Sequence, residues 1–316
     1  MSYAGPEFDP PPARRPRRRL MAVVGAALVA GALAGWLVVQ GTGGSDGGGR
    51  QASGTAGTSP SASGSSAAPS GSGDAKPDPA ATGPSATAGP RGGPLKGKVV
   101  VIDPGHNPGN FRHTGEINRQ VGIGTGSKEC DTTGTSTDDG YTEAEFTLDV
   151  AHRLRDLLEE QGATVKLTQD GDRPYGPCID ERARIGNEAD ADAVVSVHAD
   201  GSGAGNRGFH VILPGEVHAG AADTRPIVGR SADLGERIAG SFVRVTGSAP
   251  SNYVGGGTGL VTREDLGGLN LSTVPKVFIE CGNMRDTKDA ALLTSGAWRQ
   301  KAARGISEGI VSFLRG

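Results

Sequence analysis

Lys98-Val99-Val100-Val101-Ile102-Asp103-Pro104-Gly105-His106 decides how this chain folds. Four successive β-branched residues, Val99 to Ile102, favour a buried, pleated strand. Asp-Pro-Gly then stops the strand with turn chemistry and leaves a histidine on the loop beyond its end. Thr164 to Thr168, Ala193 to His198 and Lys276 to Glu280 read the same way. Helical spacing is legible at 142–161, 178–189, 230–245 and 297–314. Strands separated by helices predict an α/β domain whose sheet is covered on both faces. Ligands of open α/β sheets bind beyond the carboxyl ends of the strands, and His106, His198 and Glu280 all end or follow one. Parallel strands would bring all three to one rim.

The helix at 142–161 adds a fourth residue to that rim. Phe146, Val150, Leu154, Leu157 and Leu158 share one face, and Glu143 stands on the same inward face, one turn before Phe146. Thr142-Glu143-Ala144-Glu145 fits a capping box, in which Glu145 reaches back to the N-cap and Glu143 has no capping duty. A carboxylate aimed at the core edge needs a partner. The helix dipole favours its ionised form, which is the form that ligates a metal. Two histidines and a carboxylate are a common ligand set for Zn²⁺ with one position open, and a further carboxylate can move protons. His106, Glu143 and His198 are therefore candidate ligands and Glu280 the candidate proton carrier. Either histidine alone reads as a turn residue bonded to backbone; their shared place beside an inward glutamate is what favours metal. His113, His152, His210 and His218 lack that setting and are expected on the surface or in loops. Asp103 reads equally well as a group orienting His106 or as a turn cap. Arg263 reads as a binder of a substrate carboxylate or carbonyl, or as a surface arginine.

The rest of the chain sets the context. Residues 1–19 form a basic tail with arginines at 14, 15, 17, 18 and 19, followed by an uncharged apolar run from Leu20 to Gln40. The run is long enough to span a bilayer, and the arginines predict an N-in, C-out signal-anchor with everything beyond residue 40 outside the cytoplasm. Ala32-Leu33-Ala34 offers the alternative of a cleaved signal peptide and a secreted form. Residues 41–94, almost all Gly, Ser, Ala, Thr and Pro, are expected to be a disordered linker. Residues 95–316 suit one catalytic domain, expected to be monomeric. A net charge of −3 over 316 residues gives no sign of nucleic-acid binding. Of three cysteines, Cys130 and Cys178 lie in loop-like sequence and are expected to pair outside the cytoplasm, leaving Cys281 free at a strand end. The long Gly- and Thr-rich stretch from Asn107 to Tyr141 is the candidate for a mobile flap.

VVIDPGH, TEAEFTLDVAHRL, DAVVSVHADG and VFIECGNMRDTKDAALL stand in this order along the chain. In these motifs the stretch from about 97 to 315 resembles the zinc-dependent N-acetylmuramoyl-L-alanine amidases of the Amidase_3 type, which hydrolyse cell walls. The resemblance implies His106, Glu143 and His198 as Zn²⁺ ligands, Glu280 as the catalytic carboxylate, and a mixed, roughly six-stranded sheet between helices. It implies peptidoglycan or muropeptides as substrate and the bond between N-acetylmuramic acid and L-alanine as the one broken. Arg263 to Asn270 (RxDLxGLN), the GNMR after Glu280 and the pairing-compatible Cys130 and Cys178 resemble the mycobacterial variants, which lack a separate wall-binding module. Asp200 departs from the asparagine many members carry after the second histidine and, with Arg263, is a candidate for substrate contact. Two rival readings keep less of the resemblance: a zinc peptidase acting within the stem peptide, and a non-catalytic peptidoglycan-binding or regulatory module.

Overall fold

The computed structural model describes residues 92–316. The basic tail, the apolar 20–40 run and nearly all of the 41–94 stretch lie outside the described residues, and no helix within them is long and apolar enough to cross a membrane.

In chain order, the β-branched run forms β1 (Val99–Pro104), followed by α1 (Thr114–Ile117) and the hairpin β2 (Gln120–Gly122) and β3 (Ser127–Glu129). Next come α2 (Glu143–Glu160), β4 (Thr164–Leu167), α3 (Ile179–Glu188), β5 (Ala193–Asp200) and β6 (His210–Pro214). A second small hairpin, β7 (His218–Ala219) and β8 (Ala222–Asp223), leads to α4 (Val228–Thr246) and β9 (Leu260–Arg263). The chain ends with α5 (Gly267–Asn270), β10 (Lys276–Asn283), α6 (Thr287–Leu293) and α7 (Gly296–Leu314).

Six of these strands form one sheet in the order β4-β1-β5-β10-β6-β9. β4, β1, β5 and β10 run parallel, β6 is antiparallel to β10, and β9 is parallel to β6. The sheet is thus mixed and six-stranded, as the resemblance implies. Successive side chains on a strand point to opposite faces, so Val100 and Ile102 join the main core while Val101 joins a smaller cluster with Val194 and Val274. The main core lies between the sheet and the helices α2, α4 and α7; the smaller one lies under α3 through Ile185. Four helices expected from spacing are observed within two residues of their expected ends. β6 and β9 go beyond the sequence expectation: HVILP and LVTR lie among Gly- and Pro-bearing loops and not between helical stretches, which frame the expected strands.

The 107–141 stretch departs from the flap expectation. It carries α1 and the β2–β3 hairpin, buries Ile117, Val121 and Ile123, and is fastened by the Cys130–Cys178 disulfide. The composition hid a few well-spaced apolar anchors and a covalent tie that together offset chain entropy. The disulfide forms as expected, and Cys281 is free and buried in the main core.

Candidate active site

β1 ends in a turn that has room for only one residue type. A Cβ on Gly105 would lie 2.3 Å from the His198 ring, so the chain can pass there only as glycine. His106 follows with φ +62°, a left-handed backbone that costs a non-glycine residue of order 1–3 kcal/mol and concentrates at functional sites. Its Nδ1 faces the Thr132 carbonyl at 3.1 Å, which leaves Nε2 pointing at the Glu143 carboxylate, 3.1 Å away.

Glu143 opens α2. The capping box forms as read: Glu145 N–H donates to Thr142 Oγ1, and Thr142 N–H donates to Glu145 Oε2 at 3.0 Å. Freed from the cap, the buried Glu143 carboxylate reaches over the strand ends from the face that α2 covers. Oε1 lies 3.0 Å from His198 Nδ1 and accepts from Ala199 N–H at 3.2 Å; Oε2 accepts from Thr135 N–H at 3.0 Å. One ligating atom from each of His106, Glu143 and His198 falls within 4.8 Å of the others. Gly134 passes over this cluster at φ +73°, where a Cβ would meet Glu143 and His106 at 2.8 Å. Burial opposes charge on both partners, yet Glu143 and His106 sustain each other. The carboxylate raises the His106 imidazolium to about 10, and the two histidines hold Glu143 well below the usual carboxylate range.

Glu280 enters from β10. Parallel pairing sets it opposite His198 on β5, and antiparallel pairing sets it opposite His210 on β6. Phe278, on the same face of β10, stacks on His198 with ring centres 5.1 Å apart. Glu280 Oε2 and His210 Nδ1 are buried without hydrogen-bond partners among the described residues. Burial first, then the carboxylates of Glu143 and Asp200, push the Glu280 carboxyl well above its usual range. A cleft of about 250 Å³ is lined by Glu280, the His-Glu-His cluster, Asp200 and Arg263. A second cleft of about 250 Å³ adjoins it across His106 and His198, with Ile179, Leu266 and Phe278 in its wall. A larger cavity, about 570 Å³, is lined by Cys281 and Trp298 and by none of these four residues.

The structure therefore brings His106, Glu143, His198 and Glu280 to one rim. Asp200 and Arg263 line the same cleft, already engaged: Asp200 accepts from the Tyr253 hydroxyl at 2.6 Å, and Arg263 grips Asp265 with two nitrogens at 2.8 and 2.7 Å. His210 is neither surface nor loop but a buried strand residue beside Glu280. It escaped the sequence reading because β6 runs antiparallel and so meets the rim with its first residue. Asp103 is neither cap nor direct neighbour of His106. Its buried carboxylate accepts from Thr168 at 2.7 Å, Ser196 at 2.8 Å, Arg182 at 2.9 Å and Lys276 at 3.1 Å. These partners outweigh the burial penalty and hold it far below the ordinary range.

A mixed α/β sheet whose carboxyl rim gathers two imidazoles and two carboxylates carries the donor set that metal-dependent hydrolases use. Residues 100–312 match the Amidase_3 family model, described as N-acetylmuramoyl-L-alanine amidase, and the chain belongs to that family. It is 40% identical over 221 residues to the N-acetylmuramoyl-L-alanine amidase Rv3717 of Mycobacterium tuberculosis, an alignment covering 70% of this chain and 88% of that one. The crystal structure of the amidase Ami1 from Mycobacterium smegmatis superposes with a TM-score of 0.64 at 39% identity, over 70% of this chain and 98% of that one. Apo Ami1 from Mycobacterium abscessus gives 0.63 at 41% identity, over 70% and 100%.

Proposed function

We propose that this peptidoglycan amidase holds Zn²⁺ on His106, Glu143 and His198 and uses Glu280 to move the proton as it cleaves the bond between N-acetylmuramic acid and L-alanine. The observation that carries this reading is the meeting of one ligating atom from each of the three residues within 4.8 Å, beside a carboxylate oxygen with no hydrogen-bond partner among the described residues. The residues fit the metal by chemistry as well as by place. Two imidazoles and a carboxylate match zinc's preference, and Gly105 and Gly134 leave room where any side chain would intrude on the ligands.

Zinc bound there supplies Lewis acidity toward water and toward the scissile carbonyl. His106 and His198 orient through the Thr132 carbonyl and the Phe278 ring, so neither imidazole is free to swing from the rim. Glu280 takes a proton from the attacking water and returns it to the departing nitrogen of L-alanine. Burial and the Glu143 and Asp200 carboxylates favour its neutral form, and the ionised form that a base requires would be favoured with a cation held by His106, Glu143 and His198. Arg263 and Asp200 lie where they would meet carboxylate or amide groups of the stem peptide.

The apolar 20–40 run behind its arginines would hold the protein at the membrane with the catalytic domain outside, and the 41–94 stretch would be its tether. Cleavage after Ala34 would release it instead, and a mass measurement of the protein recovered from cells separates the two.

The deciding experiment is mass spectrometry of defined muropeptides incubated with the zinc-loaded full chain, beside an EDTA-treated sample. Release of intact peptide beginning with L-alanine, lost with EDTA and recovered with zinc, is the expected result. Products cut within the peptide would make the protein a peptidase, and no cleavage in either sample would make it a binding or regulatory module.

A further inference from the structure

Arg182 stands apart from every other arginine of the domain. It lies in the first turn of α3, is 4% exposed, and directs its guanidinium at five acceptors in three segments of the chain. Nε donates to the Pro177 carbonyl at 2.9 Å, and Nη1 donates to Asp103 at 2.9 Å and to the Pro104 carbonyl. Nη2 donates to the His106 carbonyl at 2.9 Å and to Asp131 Oδ2 at 3.0 Å. One planar fork thus grips the carbonyls on either side of Gly105, including that of the residue whose backbone is left-handed. Gln169 Nε2 adds a second donor to the His106 carbonyl at 3.0 Å.

Asp131 carries the grip round to the ring. Its Oδ1 accepts from Thr132 N–H at 2.8 Å and lies 3.6 Å from His106 Nδ1, while the Thr132 carbonyl faces the same nitrogen at 3.1 Å. The backbone of His106 is therefore fixed by Arg182 and its ring nitrogen by the loop that Arg182 anchors. A ring nitrogen held against a carbonyl keeps its proton, which sets the tautomer and leaves the other nitrogen free to bind metal. The disulfide closes the arrangement, because Cys130 precedes Asp131 directly and Cys178 lies one turn before Arg182. Ile179 N–H also donates to the Cys130 carbonyl at 2.7 Å, so both arms of the ion pair leave from one cross-linked point.

We propose that Arg182 and Asp131 are positioning residues that aim His106 Nε2 at the metal, and that their removal lowers zinc affinity independently of fold stability. The proposal rests on the reading of His106 as a ligand. A lysine cannot replace Arg182, since a point charge on a flexible stem cannot reach both carbonyls and both carboxylates together.

The test is zinc affinity by chelator competition on the full chain, with melting temperature measured on the same samples without metal. Cobalt-loaded samples give a visible spectrum that reports ligand geometry. Arg182→Lys and Asp131→Asn should each weaken zinc about 10- to 100-fold, the range typical of groups that orient a ligand, and should shift the cobalt spectrum. Lys276→Met disturbs the same buried network through Asp103 without reaching His106, and should keep zinc affinity within about threefold while lowering the melting temperature. If Arg182→Lys does not fold, Asp131→Asn, which keeps an oxygen for Thr132, carries the test alone. Unchanged affinity in the folded variants, or an equal loss in Lys276→Met, overturns the positioning role. Zinc bound as tightly by His106→Ala overturns the ligand reading itself, and the positioning role falls with it.

Discussion

The two walls of the cleft are built on opposite plans. On the His106 wall every strong polar group is answered: Asp103 has four donors, Arg182 five acceptors, and the ring nitrogen a carbonyl. On the Glu280 wall, Glu280 Oε2 and His210 Nδ1 are buried and unanswered among the described residues. An unanswered buried polar atom costs of order 1–3 kcal/mol, and two of them meet here beside the His-Glu-His cluster. The wall around His106 is over-determined by the protein, whereas the Glu280 wall leaves polar atoms without partners among the described residues, as the proposed proton transfer by Glu280 would require.

Glu280→Gln attacks the Glu280 wall directly and should have the largest effect. It should lower kcat about 10²- to 10⁴-fold, the usual contribution of a general base, with zinc content by atomic absorption unchanged. Retained turnover would remove Glu280 from the chemistry. Lys276→Met breaks the His106 wall by leaving Asp103 one cation short. Removal of one partner from a buried pair should cost about 3 kcal/mol in urea unfolding, at the low end of the known range because Arg182 remains. An unchanged midpoint would mean that the four-donor network adds nothing to stability.

Arg263→Ala sharpens the contrast at the rim. Its pairing with Asp265 is half-exposed, so stability should move by less than about 1 kcal/mol, while KM for a carboxylate-bearing muropeptide should rise about tenfold, equal to one charged hydrogen bond. A KM that does not move would return Arg263 to the surface reading. Thr142→Ala has the smallest expected effect. It should cost about 1 kcal/mol of stability through the lost cap and leave zinc affinity alone, because Glu145 and not Glu143 serves the box.

The four rim residues were legible because each sits at a strand or helix end whose hydrophobic pattern is strong. The groups that hold them were not. Arg182 and Lys276 are buried cations, and the expectation that such residues face water hides them. Arg182 stands three residues after Ile179 and next to Ala183 on the buried face of its helix, so, like Glu143, it is a charge aimed inward that needs partners. His210 and β9 are hidden for another reason: their strands lie among loops, and the antiparallel turn of the sheet at β6 leaves no mark in a local pattern. In the 107–141 stretch the Cys130–Cys178 cross-link and the buried Ile117, Val121 and Ile123 order a chain whose composition disfavours packing.

β10 also behaves like a reading frame. Val277, Ile279 and Cys281 point into the main core, and Phe278 and Glu280 point into the cleft. One residue inserted or deleted within Lys276–Ile279 would exchange the two phases, sending the carboxylate into the apolar interior and a thiol to the rim. The count of residues along this strand is as fixed as their identity.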